Sequence, residues 1–453
     1  MLRSLLVSAG VFVALGIAAC GTSDSSGFGG ENNGDLDGSR PPFDFGDGGG
    51  DAIPGCKNLE CKQVNCPGGT DTTVTGTVFA PNGTLPIYNA IVYVPNGTVQ
   101  PQTKGVTCDK CGTVASGSPL VTALTDSSGK FTLKKVPIGQ NIPLVIQLGK
   151  WRRQVVIPEV VKCTENRLTD PNMTRFPKNQ TEGDMPKIAI TTGGCDQLGC
   201  MLPKLGIDKN EFGVEGDGDA KAVHIYQSNG TGLAGSTSAK SFWSDVNKLK
   251  KYDVSVLSCE CSESPGSKDA LSFKSVTDYL SLGGRIFTTD FQYTWYKQSP
   301  DPNLAGISNI TGGAPFVSTP MYLDDSFPKG KALADWLKVN FPASTYGEVP
   351  AGAVFDNFKN PVDKTKTQIW ATGASGGKTG DTRVFTVNTP VGSKPEDQCG
   401  KAVHIDAHVN SVDQFPNSCG TPLGQAEAMF AFFFFDLSSC IQKDDKEPLP
   451  PVK

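Results

Sequence analysis

Histidine is scarce: His224, His404 and His408 are the only three in 453 residues. A zinc or iron centre built on three imidazoles would therefore need all of them in one place. No H-E-x-x-H accompanies them, which excludes the helical zinc-protease motif and its general-base glutamate. Basic charge is not in excess either. With 41 Lys and Arg against 46 Asp and Glu, the net charge is −5, and nucleic acid is not an expected partner. Beyond the first twenty residues no apolar run reaches the roughly 20 residues that a membrane span needs. "AMFAFFFFDL" near the C-terminus is too short and reads as a buried helix. "TGG" at Thr192–Gly194 lacks the third glycine of G-x-G-x-x-G, so no nucleotide is implied.

What is present begins at the N-terminus. Arg3 precedes an apolar run from Leu5 to Ala19, and "GIAAC" ends it at Cys20. That pattern resembles the bacterial lipobox, so residues 1–20 are expected to be a lipoprotein signal peptide. The resemblance implies that Cys20 is lipidated and that the lipid bilayer is a partner. Gly21, where an aspartate would retain the chain in the inner membrane, implies the outer membrane. Residues 21–55 are Gly, Asp, Ser and Asn without apolar periodicity, and are expected to form a disordered tether. They hold seven acids and one base; with Arg3, this leaves residues 56–453 with no net charge.

Fourteen cysteines suit an oxidising compartment. Setting aside Cys20 leaves an odd number, so at least one is free or pairs unusually. Residues 56–70 hold Cys56, Cys61 and Cys66 at x4 spacing. "CDKC" at Cys108 and Cys111 has the x2 spacing of a zinc knuckle, but a zinc ribbon needs two such pairs. Disulfides are the expected use. Cys259 and Cys261 of "CEC" are expected to go to different partners, and the connectivity stays open.

Residues 71–162 read as short strands with turn signals every 8–12 residues, the mark of a β-sandwich. "VTALTDSSGKFTLKKVPIG" predicts a hairpin turning at Asp126–Gly129, and "LVIQLGKWRRQVVIP" another at Gly149–Lys150. Asp126 is a turn residue rather than a calcium ligand. "TGTVFAPNGTLPIYNAIVYV" with "TDSSGKFTLKKVPIG" resembles the carboxypeptidase regulatory-like domain, a transthyretin-type sandwich. This resemblance implies an adhesive or spacer module without catalytic groups. Residues 163–185 then serve as a linker.

From residue 186 to 441 strands alternate with helices. "KIAITTGGCD", "AVHIYQSNG", "VSVLS", "RIFTT" and "GKAVHIDAHV" are strands, and "TQIWATG" with "TRVFTVNTP" is an antiparallel pair. The expected fold is therefore multidomain. An all-β, transthyretin-like sandwich precedes an α/β flavodoxin-like sheet with helices on both faces. Residues 442–453 read as a disordered tail. "YDVSVLSCE", "VTDYLSLGGRIFTTD" and "AVHIDAHV" resemble the class I glutamine amidotransferase-like superfamily, in its trehalose-utilisation-type branch. That family places a nucleophilic cysteine on a Gly-x-Cys-x-Gly elbow after the fourth strand. Here Thr289, Asp290 and Phe291 stand there, which excludes glutamine hydrolysis by that route. Proteins of this lipoprotein architecture are sometimes labelled tryptophan synthase alpha chain. That chemistry needs an eight-fold βα barrel, and this chain has too few helix–strand alternations for one.

On a strand, His404, Asp406 and His408 fall on one face. His224 sits in a second "KAVHI", so His224, His404, Asp406 and His408 are candidate ligands for zinc or iron. The competing expectation is that these histidines bond loop backbone and hold no cofactor. A ligand crevice would lie at the carboxyl ends of the strands, ringed by Gly193, Gly194, Cys259, Glu260, Asp290, Asp406 and His408. The expected role is binding or scaffolding in the envelope, with an envelope protein or polysaccharide as partner. The alternative is an exported hydrolase or sugar-modifying enzyme with Asp290, Asp406 and His408 as its catalytic candidates.

Overall fold

Seven strands in two sheets form the first folded part, the longer ones rich in β-branched residues. They are β1 (Thr73–Thr77), β2 (Ile91–Pro95), β3 (Pro119–Leu124), β4 (Lys130–Lys134), β5 (Gly139–Leu148), β6 (Trp151–Val160) and β7 (Glu165–Arg167). One sheet runs β4–β1–β7 and the other β3–β2–β5–β6. This computed structural model describes residues 55–313, 320–350, 354–359, 363–373, 380–409 and 413–451. The signal peptide, Cys20 and nearly all of the tether lie outside the described residues. Among the described residues no helix is long and apolar enough to cross a membrane.

The two expected hairpins fare differently. Strands β5 and β6 do pair around Gly149–Lys150, with Leu148 opposite Trp151. The Asp126–Gly129 turn does not make a hairpin: β3 and β4 belong to different sheets, and the turn is a corner of the sandwich. Asp126 Oδ1 closes it by accepting the backbone N–H groups of Ser128 and Lys130, at 2.8 and 3.0 Å. Gly129 has φ +71°, and a Cβ there would meet the Val78 carbonyl at 2.8 Å, so glycine is required.

Six disulfides take up twelve cysteines: Cys56–Cys61, Cys66–Cys163, Cys108–Cys399, Cys111–Cys440, Cys195–Cys261 and Cys200–Cys419. The two cysteines of "CEC" are not joined to each other, but only Cys261 has a disulfide partner; Cys259 is a buried free thiol.

A twelve-stranded sheet follows the sandwich. Its parallel strands are β8 (Ile188–Thr191), β9 (Phe212–Gly213), β10 (Val223–Tyr226), β11 (Val254–Leu257), β12 (Arg285–Thr289) and, later in the chain, β19 (Gly400–Ile405). Between these last two come β13 (Asn309–Ile310), β14 (Met321–Leu323), β15 (Glu348–Val349), β16 (Phe358–Lys359), β17 (Thr367–Gly373) and β18 (Asp381–Thr389). Across the sheet the order β10–β8–β11–β12–β19 gives the parallel core a 2-1-3-4-5 arrangement. An antiparallel extension, β18–β17–β14–β15, carries it onward. The short strands β13 to β16 and the helix Pro328–Asn340 were not legible in the sequence.

Alternation along each strand separates two cores. Ala189, Ile286 and Ala402 face a cluster with the helix Ala270–Ser281 and the rings of Trp243, Trp295 and Tyr296. Ile190, Phe287 and Val403 face the other way, into a core shared with the C-terminal helix Gln425–Ser438 and the sandwich. Phe432 of that helix stacks on Tyr88, and Phe434 and Phe435 pack on Trp151.

Two segments expected to be loose are ordered. In 163–185, expected to be a linker, β7 pairs with β1, Phe176 is buried against Trp151 and Phe435, and Arg175 grips Glu182 through two nitrogens. The expected tail is held at Asp444, which is buried between Lys329 and Lys401 at 2.8 and 2.7 Å. Asp436 of the C-terminal helix completes the quartet at 2.7 and 2.6 Å. Composition hid both cases, because one buried ring or one carboxylate under two ammonium groups outweighs a polar neighbourhood.

Burial alone would raise the Asp444 carboxyl, but Lys329 and Lys401 hold it well below the usual carboxylate range. Its stabilisation is therefore complete above about pH 4 and is lost as the pH falls below that. Replacing Asp444→Ala strands two buried ammonium groups on one carboxylate. We expect a loss of about 3–5 kcal/mol in urea unfolding at neutral pH, with the gap to wild type narrowing in acid.

Candidate functional site

The carboxyl ends of β8, β11, β12 and β19 converge at the point where the strand order reverses, between β8 and β11, the usual crevice of an open parallel sheet. Asp290 stands immediately after β12, in the elbow position, with φ +37°. A non-glycine residue held there stores roughly 1–3 kcal/mol of backbone strain, and such strain collects at functional sites. Around Asp290 the side chains are close. His408 Nε2 lies 3.0 Å from Asp290 Oδ2, and the Cys259 thiol donates to the same oxygen at 3.3 Å. Asn357 Nδ2 donates to Asp290 Oδ1 at 2.9 Å and to Asp406 Oδ1 at 2.6 Å, while its backbone N–H donates to Asp406 Oδ2 at 2.8 Å.

Asn357 reaches this place because residues around Val354 run beside the end of β19. Val354 bridges Ala407, and Phe355 N–H donates to the Asp406 carbonyl. Nothing in the spacing of "FDNF" announces it. Asp196, also unforeseen, follows β8; its Oδ1 accepts the Val409 N–H at 3.1 Å, and its Oδ2 has no hydrogen-bond partner among the described residues.

Burial is nearly complete. Asp290 is 1% exposed and Cys259 and Asp406 are 0%, leaving the His408 side chain, 11% exposed, as the outermost member. Burial pushes the Cys259 thiol well above its ordinary range, and the Asp290 charge adds to this. Burial also raises Asp196 to about 6, against the lowering influence of His408. For His408, burial alone would favour the neutral ring, but the hydrogen bond to Asp290 and the charges of Asp196, Asp290 and Asp406 raise it.

The other histidines do not join this group. His224 lies on β10, with β8, β11 and β12 between it and β19. At about 4.8 Å per strand the separation is roughly 19 Å, so the expected convergence of three imidazoles does not occur. His224 instead bonds Tyr252 Oη at 2.7 Å and Lys187 Nζ at 3.2 Å, and burial and the Lys187 charge lower it to about 4. His404 is wholly buried between the rings of Phe358, Phe385 and Tyr296, with Nδ1 3.1 Å from Thr288 Oγ1. Asp406 is taken up in fixing Asn357. Among the described residues, the three-donor group able to hold a metal is Cys259, Asp290 and His408.

The rest of the expected crevice is filled. The Cys195–Cys261 disulfide ties the loop after β8 to the loop after β11. Gly193 lies so tightly on the Cys259 carbonyl that no side chain fits, and Gly194 N–H donates to Asn229 Oδ1 at 2.8 Å. Glu260 is paired with Lys268, buried beneath Trp243 and Trp295, and accepts from Ser228. An open cavity of about 280 Å³ lies elsewhere, at the seam of sandwich and α/β sheet, where Ile91, Leu124, Gln147 and Arg152 face Asp109 and Cys440. Gln147 Oε1 is buried there without a partner among the described residues.

A raised imidazole fixes the sign of one pH effect. The His408 contribution to stability is complete below its unfolded value of about 6.5 and is lost as the pH rises through its higher folded value. We therefore expect His408→Gln to cost more stability at about pH 5.5 than at about pH 8.5, read by urea unfolding at both. A penalty that does not change with pH would mean that the ring is not charged in the folded protein.

No protein-family model matches the chain, and no curated protein does. Among solved structures, PurLQS from Thermotoga maritima is 10% identical over 56% of this chain and 99% of that one, with a TM-score of 0.29. Two interface mutants of a type II cohesin–X-dockerin complex from Acetivibrio cellulolyticus are each 16% identical. They cover 34% and 31% of this chain, and 88% and 74% of theirs, with TM-scores of 0.18 and 0.15. At these scores the likenesses identify neither a family nor a function.

Proposed function

We infer that the protein is an exported lipoprotein, anchored through Cys20 in the outer membrane, that works by binding or scaffolding in the envelope. In this reading the two-sheet sandwich is a transthyretin-like module and the 2-1-3-4-5 sheet a flavodoxin-like, degenerate amidotransferase domain. One observation supports it most. The crevice at the switch point, where such a sheet would hold a substrate, is crossed by the Cys195–Cys261 disulfide and occupied by the side chains of Cys259, Asp290, Asn357 and Asp406, which bond one another. The seam cavity is the place for a small ligand or a segment of envelope polymer.

A second observation favours a hydrolase as the other reading. Asp290 occupies a strained strand-to-helix elbow with an imidazole at 3.0 Å, the arrangement of a nucleophile and its base. There the carboxylate would attack an acyl or glycosyl carbon while the leaving group departs with a proton from the His408 imidazolium, and the neutral ring would then take a proton from the water that cleaves the intermediate.

One experiment separates the two. The full chain is expressed with its own leader in an exporting host, beside Cys20→Ala, Asp290→Asn and His408→Ala. Labelled palmitate should enter wild type and not Cys20→Ala. Chromogenic esters, amides and glycosides should turn over no faster with wild type than with the Asp290 and His408 variants. Turnover that falls at least 100-fold in both variants would establish the hydrolase.

A further inference from the structure

Cys259, Asp290 and His408 come from the ends of three adjacent strands, β11, β12 and β19. We propose that Cys259 Sγ, Asp290 Oδ2 and His408 Nε2 bind one Zn²⁺, a site that cross-ties the loops over the sheet. This goes beyond the binding reading and does not rest on it.

Geometry is the first support. One donor atom from each of the three residues lies within 4.8 Å of the others. With Zn–S near 2.3 Å and Zn–N or Zn–O near 2.0 Å, the edges of a tetrahedral site are about 3.3–3.5 Å. Two edges are already close to that: Sγ to Oδ2 is 3.3 Å and Nε2 to Oδ2 is 3.0 Å. The third edge, from Sγ to the imidazole, is the one left to adjust when the metal enters.

Donor chemistry is the second. One thiolate, one imidazole and one carboxylate make a mixed soft and hard set that suits zinc, which has no redox chemistry of its own. The positions are also held from behind. Asn357 fixes the other Asp290 oxygen at 2.9 Å, so Oδ2 faces the site, and the Phe355 ring packs on His408 at 4.8 Å. Such outer partners are what keep metal ligands oriented. Asp196 adds a buried carboxylate oxygen with no hydrogen-bond partner among the described residues, and its charge acts on both His408 and Cys259.

The exchange balances. Without metal, protons on Sγ and Nε2 both point at Asp290 Oδ2. Zinc entry releases the thiol proton and one proton from a His408 imidazolium to solvent, so a dication replaces two unit charges. No electron transfer is involved.

The test uses the full chain, without tag histidines, stripped with a chelator and titrated with Zn²⁺ or Co²⁺ alone. We expect one equivalent of zinc by elemental mass spectrometry and a raised melting temperature. Cobalt should give a near-ultraviolet sulfur-to-metal charge-transfer band. Zinc affinity should fall roughly 100-fold or more in Cys259→Ser and in His408→Ala, beyond the 10–100-fold that losing an outer partner costs. The cobalt band should vanish in Cys259→Ser. Less than 0.1 equivalent of zinc in folded wild type, or wild-type cobalt binding without the sulfur band, would overturn the proposal. The second outcome needs no variant, so a substitution that fails to fold leaves the test intact.

Discussion

The C-terminal helix Gln425–Ser438 is the element on which the rest of the described structure depends. Ten of its side chains from Ala428 to Leu437 are buried, whichever way they point. A helix apolar on one stripe needs one partner surface; one apolar all round needs two. Here β12 and β19 cover one side, and Tyr88 and Trp151 of the sandwich, with Phe176 of the segment that follows it, take the other. Each buried Phe contributes about 1.5–3 kcal/mol, so separating the two parts would expose several such rings at once. The sandwich is therefore fused to the α/β sheet through a shared core, whatever its ancestry as a module.

Polar contacts guard the same seam. Arg285 donates to the Leu437 carbonyl at 2.5 Å and to that of Ser439, capping the helix C-terminus with a buried cation where the helix dipole favours one. Trp336 donates to the Pro86 carbonyl across it at 2.7 Å, and Lys150, at the tip of the β5–β6 hairpin, reaches Asp253 at 2.7 Å. Cys108–Cys399 and Cys111–Cys440 then staple residues 291 and 329 apart in sequence. Cross-links over such long loops restrict the unfolded chain most. The x2 spacing of "CDKC" thus serves two staples from one loop, one to the start of β19 and one to the segment after the C-terminal helix.

The site shows the opposite balance between local and distant causes. Asp290 owes its strained backbone to its place after β12, yet every group that meets it comes from elsewhere in the chain: Cys259 from β11, Asn357 from a segment beside β19, His408 from beyond β19. Of the "HIDAH" stretch, only His404 and Ile405 belong to β19; Asp406 and His408 lie beyond its end, and the environments of the three polar groups diverge. His404 is enclosed by rings, Asp406 is spent on Asn357, and only His408 reaches the elbow.

Much of the architecture was decided by the sequence alone. Period-two alternation located β1 to β6, and the apolar runs located β8, β10, β11, β12 and β19. These are local properties, because side-chain period and turn chemistry act over a few residues. Tertiary structure decided the rest. It made a corner of the Asp126 turn, ordered the presumed linker and tail, left Cys259 as the free thiol, and chose His408 over His224 and His404 as the partner of Asp290. Each of those outcomes depends on which surfaces meet across hundreds of residues, and neither spacing nor composition encodes that.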